Sequence, residues 1–368
     1  MTTDELIRRI ADRKAELGAS LCVLGHHYQS DDVIQFADFT GDSLKLSQLA
    51  AGQKEAKYIV FCGVHFMAES ADILSDADQI VCLPNLQAGC AMADLAEDRA
   101  VAAALEEVGR LTEAKVVPIS YVNSTAAIKA VTAREGGACC TSGNVANVFR
   151  WALASTSDGG AGAEKVFAIP DHHLGRNTAV AMGYSPADCA LYDPNLPNGG
   201  LKREEVERAT FLLWKGHCYV HQHFRPEHVE SVRKAWPDIT VIVHPECPHE
   251  VVQLADSAGS TEQIIRAIDA AKPGSRWAVG TESSLVQRLA RQYPDQFIRV
   301  LSDAPATCVQ MKQIDLPHLL WVLDHLAEQA VVNQIRVPAE IASEARIALQ
   351  RMIDIRRVQN VAPTQESS

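Results

Sequence analysis

At 368 residues the chain is too long for one ordinary core, and its 47% hydrophobic and 22% charged content is that of a folded globular protein rather than a disordered one. A net charge of -12, from 34 basic against 46 acidic residues, opposes attraction to nucleic acid, and no Lys/Arg-rich stripe interrupts it. No run of 18 apolar residues is present, so a membrane-spanning helix is not expected.

The N-terminal stretch MTTDELIRRIADRKAELGAS is charged and helical in period, without the apolar centre of a signal peptide, and the protein is expected to be cytoplasmic. In a reducing compartment the ten cysteines are not expected to form disulfides. They are small buried hydrophobes, metal ligands or reactive thiols. With no CxxC pair, metal ligands would have to come from distant segments.

The next element, VLGHHYQSDDVIQFADFTGDS, opens an internal repeat. Setting His26 on His244 pairs Val33 with Val251, Gln35 with Gln253, Ala37 with Ala255, Asp38 with Asp256 and Gly41 with Gly259, without a gap. At the same offset the apolar run YIVFC (residues 58–62) falls on RWAVG (276–280), and QIVCL (79–83) on FIRVL (297–301); both read as short buried strands. Cys90 then falls on Cys308. A more divergent third copy lies between, with Tyr121 in VVPISYVNSTAAIKAVTA at the place of His26. There Asn123 matches Tyr28 and Glu246, while Ser142 in CTSGN matches Ser43 and Thr261 if four residues are inserted. Its cysteine is Cys218 in WKGHCYVHQHF, with the extra length absorbed by the Gly-rich STSDGGAGAEK and the turn-rich YDPNLPNGGLKREE.

Each copy reads strand, helix, strand, helix, strand, cysteine loop, helix, which is the alternation of a parallel sheet covered by helices. The expected fold is α/β, with three similar three-layer α/β/α modules whose parallel sheets stand in a pseudo-threefold arrangement and whose junction holds the active site. The modules are expected at 1–112, with the N-terminal helix, 113–236, and 237–355, with the C-terminal helices; 356–368 reads as a disordered tail.

Cys22, Cys62 and Cys82 sit in or beside apolar strands and read as core, and Cys139, Cys140, Cys189 and Cys247 fit no repeated position. One cysteine per copy at an equivalent place, Cys90, Cys218 and Cys308, makes a metal centre the sharper reading. Three scattered thiolates suit structural zinc poorly. They suit a [4Fe-4S] cluster with one open iron, able to act as a Lewis acid. Ser43, Ser142 and Thr261 precede helical patterns, where a hydroxyl and free N–H groups can hold an anion or simply cap the helix. Glu246, the one carboxylate among the equivalent positions, is the candidate general base, or else a buried ion pair. His26 and His244 are expected to hold substrate carboxylates, and Tyr28, Tyr121 and Asn123 to orient carbonyl or hydroxyl groups.

GHHYQ with GDS, AGCAMAD, YVNSTAAIKA, CTSGN, WKGHCYVH, HPECPHEVVQLADSAGST, GTESSL and CVQMK, in this order from about residue 20 to residue 330, resemble the quinolinate synthase family of NAD biosynthesis. The resemblance implies a three-module fold with an oxygen-sensitive [4Fe-4S] cluster on Cys90, Cys218 and Cys308. It implies condensation of iminosuccinate with dihydroxyacetone phosphate to quinolinate, with loss of phosphate and two waters. It assigns iminosuccinate contacts to His26, Ser43, Tyr121, Val122, Asn123, Ser142, His244, Pro245, Glu246 and Thr261, and makes Tyr28 similar to the family's active-site tyrosine. Catalytic roles are expected for Glu246, Tyr28 and His26, and an aspartate-oxidising enzyme is a candidate transient partner. The residues alone leave open an aconitase-like hydro-lyase and a non-enzymatic iron–sulfur oxygen sensor, which turnover assays separate from a quinolinate synthase.

Overall fold

Runs of β-branched and apolar residues set the strands of this computed structural model, which describes residues 1–359, the side chains of Leu44, Ser47, Ala50, Ala51 and 356–359 aside. The first sheet takes β1 (Leu21–His26), β2 (Phe39–Gly41), β3 (Tyr58–Cys62) and β4 (Ile80–Cys82). The second takes β5 (Val116–Tyr121), β6 (Ala138–Cys140), β7 (Lys165–Ile169), β8 (Cys189–Tyr192) and β9 (Phe211–Trp214). The third takes β10 (Thr240–Val243), β11 (Ser257–Ala258), β12 (Arg276–Gly280) and β13 (Phe297–Val300), and a last strand, β14 (Gln334–Ile335), returns to the edge of the first. The expected α/β class, with three mostly parallel sheets flanked by helices, is what the chain adopts. Every ladder is parallel except the pairing of β14 with β4.

The strand orders expose the repeat. They run β4-β3-β1-β2, β9-β7-β5-β6 and β13-β12-β10-β11, one order written three times, with β14 added at one edge of the first sheet and β8 at one edge of the second. The sequence pattern gave three strands per copy. The fourth is a short piece, β2, β6 or β11, too brief and too polar in two of the copies to carry a period of its own. Part of the extra length in the middle copy forms β8 and the turn Pro197–Gly200 beside it.

Equivalent residues also make equivalent bonds. Asp38 accepts the Val23 N–H at 2.7 Å and Asp256 accepts the Val241 N–H at 2.7 Å, both through Oδ2, while each Oδ1 meets a cation, Lys14 Nζ at 2.8 Å and Arg233 Nη2 at 2.9 Å. The carboxylate thus ties the strand to the loop that follows it. Asp256→Ala leaves the N–H of fully buried Val241 without that acceptor and should cost about 1–3 kcal/mol in a denaturant titration.

By internal contacts the chain divides into two units. The first comprises Met1–Asp94 and His217–Pro338, with the first and third sheets; the second comprises Leu95–Gly216 and the segment from Ala339. In the first unit the helix Thr3–Leu17 begins with a Thr2/Glu5 capping box and is tied to the helix Leu316–Ala327 by Arg9 and Arg13 on Asp324. In the second, Val101, Ala104 and Val108 of the helix Asp98–Leu111 share a core with Phe167, Leu212 and Trp214 of the second sheet. That helix belongs to 1–112 in the sequence division, and its apolar stripe finds its partner in the copy that follows. The helix Ala339–Gln359 packs on Ala126–Arg134, also in the second unit. It includes positions 356–359 of the tail expected to be disordered, and 360–368 lie outside the described residues.

Candidate active site

Ligands of open parallel sheets gather just beyond the carboxyl ends of the strands, and the three copies place equivalent residues there. His26 is the last residue of β1 and pairs with Gly41; Tyr121 is the last of β5 and pairs with Cys140; His244 follows the last residue of β10, whose Val243 pairs with Ala258. Counting two residues past the edge-strand partner reaches Ser43 in the first copy and Ser142 in the second, and Thr261 stands two past Gly259 in the third. The four-residue insertion assumed for the middle copy is therefore the one its sheet register uses. Thr261 does not cap its helix: Ser260 does so in a box with Gln263, which leaves the Thr261 hydroxyl for other work.

Backbone geometry fixes the tautomers of the two histidines in the first unit. Tyr28 N–H donates to His26 Nδ1 at 3.2 Å, and Glu246 N–H donates to His244 Nδ1 at 3.3 Å. With Nδ1 accepting, each neutral ring carries its proton on Nε2 and offers one N–H. Burial pushes both rings down to about 3, so they act as neutral donors and not as cations. The unfolded chain takes up protons at these positions below about pH 6.5, whereas the folded chain resists until about pH 3, so stability should fall with falling pH over that window. Each histidine contributes at most about 1.4 kcal/mol per pH unit. Denaturant midpoints measured between about pH 6.5 and 4.5 check this, since the Glu262 carboxylate, held at about 2 chiefly by its bond to His27, loses its own stabilisation only at lower pH. His26→Asn should flatten the profile by one proton.

A hydrogen-bonded chain runs beside them. Tyr28 Oη lies 3.0 Å from Thr261 Oγ1 and 2.9 Å from Thr281 Oγ1, His221 Nε2 lies 3.1 Å from Thr281 Oγ1, and His221 Nδ1 lies 2.6 Å from Glu246 Oε2. The imidazoles of His221 and His244 stack at 4.3 Å. His221, Thr281 and Glu246 are all but fully buried, and burial raises the Tyr28 phenol well above its ordinary range. The hydrogen bonds run from Tyr28 through Thr281 to His221, whose Nδ1 then stands in close contact with Glu246 Oε2 without the angle of a hydrogen bond. Sequence reasoning placed Tyr28 and Glu246 at equivalent positions but missed His221 and Thr281. Their signals were in quoted motifs: His221 stands three residues after Cys218, and Thr281 directly follows β12.

The cysteines sort by burial as expected for Cys22, Cys62 and Cys82, which lie inside strands of the first sheet. Cys139, Cys140 and Cys247 are also buried. Only Cys90, Cys189, Cys218 and Cys308 are partly exposed, and Cys189 lies on edge strand β8 of the second unit. The other three belong to the first unit. Cys90 and Cys308 border one apolar cluster, and Cys218 and Cys308 border another, so Cys308 stands against both. Tyr219, next to Cys218, donates to Gln310 at 2.6 Å and accepts the Val309 N–H at 2.8 Å, which fastens the Cys308 loop to the short helix Tyr219–Gln222. Burial, with a smaller contribution from nearby Cys308, pushes the Cys90 thiol up to about 12. Such thiols stay protonated unless a cation takes their electron pairs. Their chemistry and shared walls fit the three-thiolate cluster that the sequence leads one to expect.

Tyr121, Val122, Asn123 and Ser142 follow or end β5 and β6 in the second unit, and Val122 N–H donates to Cys140 O at 2.8 Å just as His27 N–H donates to Gly41 O at 3.2 Å in the first copy. The turn is rigid: Ser124 Oγ donates to Tyr121 O at 2.7 Å, and the ammonium of fully buried Lys129 binds Ser124 O. Among the described residues no helix is long and apolar enough to cross a membrane.

A buried Tyr28–Thr281–His221 chain in contact with Glu246 shares one unit of an α/β fold of repeated parallel sheets with the three partly exposed thiols Cys90, Cys218 and Cys308. Residues 8–354 match the family model described as Quinolinate synthetase A protein. The chain belongs to that family. It is 50% identical over 353 residues to a quinolinate synthase of Anoxybacillus flavithermus, covering 96% of this chain and 94% of that protein. It is 51% identical over 356 residues to that of Streptomyces coelicolor (95% and 88%), and 46% identical over 355 residues to that of Bacillus anthracis (96% and 94%).

Proposed function

We propose that the protein is a quinolinate synthase, which condenses iminosuccinate with dihydroxyacetone phosphate to quinolinate and releases phosphate and two waters. The observation that carries this reading is the chain from Tyr28 through Thr281 and His221 to Glu246, in the same unit as Cys90, Cys218 and Cys308 and within a family match over nearly the whole sequence. A [4Fe-4S] cluster on the three cysteines, when bound, supplies Lewis-acid pull on a hydroxyl or carboxylate oxygen.

The protein's own groups account for the remaining work. Neutral Nε2–H groups of His26 and His244 donate to the carboxylates of a dianion without burying two opposite charges, which suits an acidic protein with an acidic substrate. Hydroxyls of Ser43 and Thr261 add donors at the same strand ends, and Pro245 holds the turn between His244 and Glu246. In the second unit Tyr121, Val122, Asn123 and Ser142 offer phenol, backbone, amide and hydroxyl groups, in keeping with the contacts that the family pattern assigns to them. Tyr28, hydrogen-bonded through Thr281 to His221 beside Glu246, serves as general acid and base in the proton transfers that accompany C–C bond formation and loss of water. Holding both acyclic substrates together removes the entropic cost of their encounter.

The test is direct. Anaerobic protein supplied with both substrates should give quinolinate and phosphate in equal amounts, and dehydration of another hydroxy acid without quinolinate would overturn the reading. Iminosuccinate hydrolyses in water, so an aspartate-oxidising enzyme in the same assay is the natural source.

A further inference from the structure

We propose that, in the cluster-free chain, Cys218, His221 and Glu246 hold a single divalent cation of the zinc class, at a site that excludes the cluster because both need the same thiolate. Only this exclusion rests on the cluster reading above; the cation site stands on its own geometry.

Cys218 caps the short helix Tyr219–Gln222, and His221 follows one turn later, so the two form a local Cys-x-x-His pair. Glu246 joins them from the turn after β10. One donor atom from each of the three lies within 4.8 Å of the others. Around a tetrahedral zinc ion, sulfur, nitrogen and oxygen ligands stand about 3.3–3.6 Å apart, so small movements bring these three donors into place. His221 Nδ1 and Glu246 Oε2, now 2.6 Å apart, need to open by less than about 1 Å.

Charge favours the same occupant. One thiolate, one carboxylate and one neutral imidazole cancel a doubly charged ion, which is the condition for placing it among side chains as buried as His221 and Glu246. An outer partner is also in place, since His221 Nε2 lies 3.1 Å from Thr281 Oγ1. With Nδ1 on the metal, Nε2 must carry the proton and donate to Thr281, which then donates toward Tyr28. Binding therefore fixes the direction of the hydrogen-bonded chain and takes both Glu246 and His221 out of proton transfer. Three protein ligands leave a fourth position for water, the composition of an open zinc site.

Cobalt(II) is the probe. Full-length protein, purified anaerobically and freed of iron and sulfide, should bind one equivalent of Co2+ with a thiolate-to-cobalt charge-transfer band and four-coordinate visible bands. Cys218→Ser should lose the charge-transfer band, and His221→Asn and Glu246→Gln should each weaken binding by about 10-fold or more. Cys90→Ser and Cys308→Ser should keep both band and affinity. Protein preloaded with one equivalent of Zn2+ should fail to take up iron and sulfide. Absence of the band, or its loss in Cys90→Ser or Cys308→Ser variants that keep the wild-type circular dichroism, would overturn the proposal, the latter by placing the ion among the three thiolates. The cluster reading is judged separately by the iron and sulfide content of the untreated protein, so either can fail alone.

Discussion

Single replacement of Cys90, Cys218 or Cys308 by serine is expected to remove the visible absorbance of the anaerobically purified protein and reduce quinolinate formation to background. The three residues sit on different loops, 128 and 90 positions apart in sequence, yet border shared apolar walls in one unit. A cluster held by three cysteines keeps only two protein ligands when any one of them is replaced. Cys189→Ser is the control. That thiol is also partly exposed but belongs to an edge strand of the second unit, and its removal should leave colour and activity intact. Colour and activity retained in any of the three primary variants would count against the ligand set.

Tyr28→Phe and Glu246→Gln carry the second large effect. Both keep the shape of the buried cluster: the first removes the phenol proton, the second the carboxylate charge that lies 2.6 Å from His221 Nδ1. Loss of a positioned acid–base group typically costs about 10²–10⁴ in rate, and kcat should drop in that range for either variant. KM for iminosuccinate should change far less in Tyr28→Phe, because the Nε2–H groups of His26 and His244 are untouched. The double variant should be little worse than either single one, as expected of groups acting in series. Additive losses in steady-state kinetics would mean that Tyr28 and Glu246 serve separate steps.

Much of this was legible in the sequence because the repeat is written in residues that carry chemistry. Position 26 and position 244 are both histidine, and Asp38 and Asp256 make the same pair of bonds, so the alignment that matched their letters also matched their strands. The short edge strands β2, β6 and β11 were not legible, since two or three residues cannot show a period. Neither was the placement of the helix Asp98–Leu111, whose amphipathic stripe says that it must pack but not on which sheet. His221 and Thr281 were missed for a related reason. They have no counterpart in the repeat, and their role follows from contacts across 60 residues that only the folded chain brings to 3.1 Å.

Iron and acid-labile sulfide analysis of anaerobically purified protein tests the central claim most directly. A three-cysteine cubane with one open iron predicts about four of each per chain, lost together in the three serine variants. Stoichiometric zinc without sulfide, or full quinolinate formation by protein containing neither iron nor sulfide, would contradict it.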